Sequence, residues 1–162
     1  MIGAGLMGHG IAQVFAIKGY KVKLFDNDSG VLKSAPERIR NNLQTLLEMG
    51  LVESRELEDC LNHVQLSHTL TEMCEGVELA IEAVSENLDL KRAIFSHLER
   101  LTPPQIVLSS DTSGISISLI SEKLQLKERV VGTQFWNHPH IVPCVEVIKS
   151  QFTCDEVVSY SD

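Results

Sequence analysis

Apolar residues recur along this chain in two periods, helical and extended, and the two alternate. Ile11, Val14, Phe15 and Ile17 fall at helical spacing ahead of Gly19, which predicts a helix ended by a glycine. Residues 21–26 ("KVKLFD") alternate as a strand does, and the Asn27-Asp28-Ser29 run offers helix caps. Leu32, Ala35, Ile39, Leu43 and Leu46 then mark a second helix, expected to start or bend near Pro36. Residues 53–61 predict a short helix, 63–67 a short strand, and 69–76 a helical turn that ends at Gly76. The apolar run 77–84 predicts a strand, and Leu90, Ile94, Leu98 and Leu101 predict one helical stripe ended by Pro103 and Pro104. Further strands are expected at 106–110, 129–135 and 144–148, with a helix within 112–124 and another beginning near 154. Strands alternating with helices imply parallel βαβ units, and strand runs apolar on both sides imply a sheet covered on both faces.

At 162 residues the chain is long enough for one domain with a substantial core. A net charge of −8 disfavours a nucleic-acid or anionic-membrane partner. The four cysteines (Cys60, Cys74, Cys144, Cys154) lack Cys-x-x-Cys spacing, so neither a zinc site nor a disulfide framework is expected. The histidines show no paired ligand spacing either, and no metal is expected. No apolar run approaches the roughly 20 residues of a membrane helix. Met1 opens onto glycines rather than a signal peptide. A reducing compartment follows, the cytoplasm or an organelle matrix.

The chemistry begins at Gly3, Gly5 and Gly8, a G-x-G-x-x-G loop with Leu6 and Met7 inside it, opening a helix. Asp26 closes the next strand at the distance a dinucleotide fingerprint requires. The first glycine makes a tight turn, the second admits a pyrophosphate to the backbone, and the third lets helix and strand approach. The helix N-terminus favours the phosphate charge. Asp26 would accept from ribose hydroxyls and repel a 2′-phosphate, which selects NAD over NADP. Only Met1 and Ile2 precede the loop, so the first strand of this sheet is expected to be truncated, leaving its neighbours' backbone groups unpaired.

With the stretches "GAGLMGHGIAQVFA", Phe25-Asp26, "EAVSENLDLK" (82–91), "SSDTSGISIS" (109–118) and "GTQFWNHPHIVPCVEVI" (132–148), the chain resembles the NAD-binding domain of the 3-hydroxyacyl-CoA dehydrogenase family over essentially its whole length. The lambda-crystallin and gulonate dehydrogenase branch shares several of these motifs and stays open as an alternative. The resemblance implies a Rossmann-type α/β fold, doubly wound with a mainly parallel sheet, occupying residues 1–162. It implies oxidation of a 3-hydroxyacyl-CoA hydroxyl to a ketone with NAD, in fatty-acid metabolism. It further implies a C-terminal helical domain for substrate binding and dimerisation, expected to be absent here, so that a homodimer would need that domain.

Residue by residue, the resemblance matches Ser113 and Asn137 to substrate- or cofactor-contacting positions and Glu146 to the acid that orients a catalytic histidine. Glu86 and Lys91 fall on cofactor-side positions. Three positions depart from the family pattern. Asp111 stands for an asparagine and His138 for a proline, and Gln134 stands where the family carries the histidine that takes the hydroxyl proton. A glutamine amide donates and accepts hydrogen bonds but cannot act as a general base, and losing such a base typically costs about 10²–10⁴-fold in rate. The chain alone is therefore expected to be inactive, a silent NAD-binding remnant being the alternative to a working dehydrogenase half. His138 and His140 read as solvent-accessible turn residues, with His138 the candidate to replace the base. His9 falls in the first helical turn beside the loop. Phe135 and Trp136 read as core or pocket wall.

Overall fold

The computed structural model describes residues 1–161; residue 162, the last of the expected domain, lies outside the described residues. The elements run α1 (Leu6–Ile17), β1 (Val22–Leu24), α2 (Ser29–Glu48), α3 (Ser54–Asn62), β2 (Val64–Leu66), α4 (Leu70–Cys74), β3 (Leu79–Glu82), α5 (Leu88–Leu101), β4 (Val107–Ser110), α6 (Ile117–Ser121), a 3₁₀ turn (Lys127–Arg129), β5 (Val130–Phe135), β6 (Val145–Ile148) and α7 (Asp155–Ser161). Two compact units result among the described residues, one from residues 1–73 and 136–143, the other from 74–135 and 144–161.

In the first unit β1 and β2 pair in parallel, Val22 opposite Val64. The extended N-terminus adds to that pair. Ile2 bridges Phe25 in parallel, Gly3 N–H donates to Phe25 O at 2.9 Å, and Phe25 N–H donates to Met1 O at 3.0 Å. The short first strand thus satisfies the backbone of β1's C-terminal end, where unpaired groups were expected. Ala16, Ile39, Leu43, Leu57 and Cys60 close the core between α1, α2 and α3. α2 does not begin at Pro36. It starts at Ser29 because the Asp28 carboxylate accepts from Gly30 and Val31 N–H, and buried Leu32 and Ala35 hold the turns before the proline. No helix among the described residues is long and apolar enough to cross a membrane.

In the second unit β3, β4 and β5 are parallel neighbours and β6 joins β5 antiparallel. β4 is buried along its whole length, as a strand covered on both faces must be. Asn87 caps α5 by accepting from Leu90 N–H at 2.9 Å. The buried stripe of α5 is Lys91, Phe95 and Leu98. Leu90, expected on that stripe, is 42% exposed. Arg129 closes the α5–β4 connection, donating to Pro103 O at 2.7 Å, to Glu99 O at 3.2 Å and to Thr102 Oγ1 at 3.1 Å.

Candidate functional site

The first unit carries the glycine loop. Gly3 adopts φ +90°, which turns the chain out of its strand. Ala4 N–H then donates to Asp26 Oδ2 at 2.7 Å, while Asp28 N–H donates to Asp26 Oδ1 at 2.8 Å. Asp26 therefore ties the loop to the end of β1, and each oxygen keeps a second lone-pair site for a ribose hydroxyl. α1 follows immediately. Gly5, its N-cap, supplies no side chain, and the first-turn N–H groups of Leu6, Met7 and Gly8 have no intrahelical acceptor. A Cβ on Gly8 would lie 1.8 Å from Gly3 O, so helix and turn approach as closely as the fingerprint demands. Oriented N–H groups, a close backbone and a carboxylate at the next strand end form a cradle that fits a dinucleotide's pyrophosphate and ribose.

Three contacts around this loop were not legible beforehand. Arg38, three turns into α2, donates to Ala4 O and Gly5 O. His9 is only 5% exposed. Its Nδ1 lies 2.6 Å from Gly5 O and 3.0 Å from Arg38 Nη1, two contacts that ask for opposite tautomers. Burial first, then the charges of Arg38 and His138, hold His9 below the usual imidazole range, against the opposing pull of Gly5 O. His140 is not a solvated turn residue. It packs where a Cβ on Gly10 would meet it, its Nδ1 lies 3.5 Å from Asn42 Nδ2, and burial lowers its pKa as well. Asn137 and His138 are exposed in the same segment. Trp136 is 51% exposed, so it is not a core residue, whereas Phe135 is buried.

The second unit carries the strand pair. The ladder sets Gln134 directly opposite Glu146, and Gly132 opposite Ile148. Strand alternation places all four on one face, with directly opposed Cβ atoms about 5 Å apart. Gln134 is half-buried and Glu146 exposed. An open cavity of about 320 Å³ lies beside Ile148, lined also by Thr112, Ser113, Gly114 and Ile117. The sequence-predicted acid at Glu146, the Gln134 amide and the Ser113 loop are thus gathered within one unit.

Glu86 organises that loop. Its carboxylate accepts from Thr112 Oγ1 at 2.8 and 2.9 Å and from Ser113 N–H at 2.8 Å. Lys91 is fully buried, with Nζ 2.7 Å from Glu82 Oε1. Glu82, whose other oxygen accepts from Ser110 Oγ at 2.7 Å, was the partner hidden in another element. Glu86 follows the C-terminal end of β3, and Thr112 and Ser113 follow that of β4, where parallel sheets place ligands.

Asp111 accepts from Phe135 N–H at 2.9 Å, extending the β4–β5 pairing by one side chain. Burial raises its pKa to about 6; Glu82 and Glu86 reinforce the shift, while the Phe135 N–H and Lys91 oppose it. A carboxyl whose folded pKa lies above its unfolded value binds its proton more tightly when folded. It favours folding below the unfolded pKa and loses that contribution as pH rises toward 6. Asp111→Asn, which keeps an acceptor for Phe135, should therefore raise stability at pH 7 relative to the parent and narrow the difference near pH 4, as read from urea midpoints across that range.

Among the described residues, no three or more His, Cys, Asp or Glu side chains gather to hold a metal ion. Residues 1–161 match a family model described as the NAD-binding domain of 3-hydroxyacyl-CoA dehydrogenase. The chain is 33% identical over 160 residues to a glyoxysomal fatty acid beta-oxidation multifunctional protein of Cucumis sativus, spanning 98% of this chain and 22% of that one. It is 34% identical over 154 residues to a probable 3-hydroxybutyryl-CoA dehydrogenase of Bacillus subtilis, spanning 95% and 53% respectively. A crystal structure of 3-hydroxybutyryl-CoA dehydrogenase from Escherichia coli K12 superposes with a TM-score of 0.94 at 34% identity, covering 99% of this chain and 34% of that one. The chain thus spans between about a fifth and about a half of the length of these curated relatives.

Proposed function

Because this chain belongs to the 3-hydroxyacyl-CoA dehydrogenase family through that family's NAD-binding domain, we propose that it supplies the dinucleotide-binding part of a 3-hydroxyacyl-CoA dehydrogenase in which proton abstraction has been disabled. The observation that carries this reading is the register of Gln134 against Glu146. That register sets a carboxylate opposite an amide, where the resemblance would have a histidine.

The glycine loop would hold the pyrophosphate on the N–H groups of Leu6, Met7 and Gly8, and Asp26 would accept from the adenosine ribose. When bound, NAD supplies the hydride acceptor that this chain's own residues lack. Ser113, fixed by Glu86, would donate to the substrate oxygen, and Asn137 keeps the substrate or cofactor role that the resemblance assigns to it. Gln134 can donate to that oxygen but cannot take its proton, and Glu146 then has no imidazolium to stabilise. A helical domain contributed from outside these residues would complete the acyl-CoA side, as the sequence resemblance suggests.

The reading is tested by titrating the protein with NADH and NADPH and then adding acetoacetyl-CoA. NADH should bind and NADPH should bind more weakly, with no NADH consumed. Asp26→Asn removes the charge that accepts from the ribose. It should weaken NADH by about 10–100-fold, the worth of one charge-assisted hydrogen bond, and narrow the gap to NADPH. Turnover by the unaltered protein would defeat the claim of silence, and equal binding of both cofactors would defeat the role given to Asp26.

A further inference from the structure

We propose that Arg38 is a positioning residue for the dinucleotide loop, clamping it from α2 in the form that presents its N–H groups; the inference rests on the NAD reading above. Ala4 is held through both of its backbone polar groups. Its N–H donates to Asp26 Oδ2 at 2.7 Å, and its carbonyl accepts from Arg38 Nη2 at 2.6 Å. The next carbonyl, Gly5 O, accepts from Arg38 Nη1 at 3.3 Å. Nη2 also donates to Val31 O at 3.0 Å in the first turns of Arg38's own helix. A helical side chain leans toward the N-terminus of its helix, so residue 38 reaches the loop from three turns away along the same face.

The consequence is directional. With the carbonyls of Ala4 and Gly5 drawn inward to one planar guanidinium, the N–H groups that follow them are left pointing away from it. Only an arginine fork satisfies two successive loop carbonyls and one helix carbonyl at once; a lysine ammonium is a single point donor. The guanidinium also lies close enough to Asp26 for the two charges to interact. Since both terminal nitrogens are engaged by carbonyls, Arg38 acts on the cofactor through the loop rather than as a receptor for a 2′-phosphate.

The test compares the parent protein with Arg38→Ala and Arg38→Lys in NADH and NADPH titrations and in amide exchange of residues 3–8. Arg38→Ala should lower NADH affinity by about tenfold, the loss of charged-donor hydrogen bonds. NADPH should weaken no more than NADH, and exchange should accelerate in the loop while α3 and β2 stay protected. Arg38→Lys should recover part of the affinity and remains informative if the alanine variant fails to fold. NADH binding within about twofold of the parent, or unchanged loop exchange, would overturn the proposal. A larger loss for NADPH would show instead that Arg38 meets a 2′-phosphate. Failure of the parent itself to bind NADH would defeat the NAD reading, while the exchange arm would still report whether Arg38 holds the loop.

Discussion

Gln134→His should raise the rate of acetoacetyl-CoA reduction in the complete protein by about 10²–10⁴-fold, the contribution of a positioned general acid–base group, and leave NADH affinity unchanged. The expectation follows from the β5–β6 ladder. Gln134 and Glu146 are Cα partners, so an imidazole at 134 would project beside a carboxylate able to fix its tautomer and stabilise its protonated form, the arrangement that orients catalytic histidines. Because Glu146 is exposed and Gln134 half-buried, the added ring has room and no core must be repacked. The gain should depend on the acid: Gln134→His combined with Glu146→Gln should lose most of it, and the pH–rate profile should acquire an imidazole limb absent from the parent. A rate unchanged by Gln134→His would contradict the assignment of the missing base to position 134.

Lys91→Ala should destabilise the protein by about 3–5 kcal/mol, the cost of leaving a buried charge without its partner. Both members of the Glu82–Lys91 pair are 0% exposed. Glu82 is further held by Val84 N–H at 2.6 Å and Ser110 Oγ at 2.7 Å, which fixes it in place and prevents it from turning to water. A double replacement, Glu82→Gln with Lys91→Met, removes both charges at nearly constant volume and should cost much less than either single change, since isosteric removal of a buried pair is often close to neutral. Equilibrium urea unfolding of the three variants measures this. A loss below about 1 kcal/mol for Lys91→Ala would show that Glu82 is not left as an unpaired buried charge.

Much of this organisation was legible in the sequence because it depends on local chemistry. The G-x-G-x-x-G spacing, the Asp28 cap, Gly19 after α1 and the alternation of β5 and β6 each act within a few residues, so the βαβ order and the loop could be read directly. What was missed depends on pairs brought together from distant elements. The ion pair of Lys91 could not be read locally, because its partner, Glu82, lies on β3. Taking Leu90 rather than Lys91 as the inward position shifted the α5 stripe by one residue, since composition alone favours the leucine. Pro36 suggested a helix start, yet burial of Leu32 and Ala35 outweighs one missing N–H. Arg38 gave no local signal, because carbonyls carry none. His140 was expected in water and instead lies against α1, where Gly10 leaves room for the turn.

The central claim is that an intact dinucleotide cradle accompanies a disabled proton acceptor, and one measurement bears on it most directly. The complete protein, unaltered at Gln134, is mixed with NADH and acetoacetyl-CoA while the NADH signal is followed alongside the Gln134→His variant. The account predicts that both proteins bind NADH and that only the histidine variant consumes it. Steady consumption of NADH by the unaltered protein, at a rate comparable with the variant, would contradict it.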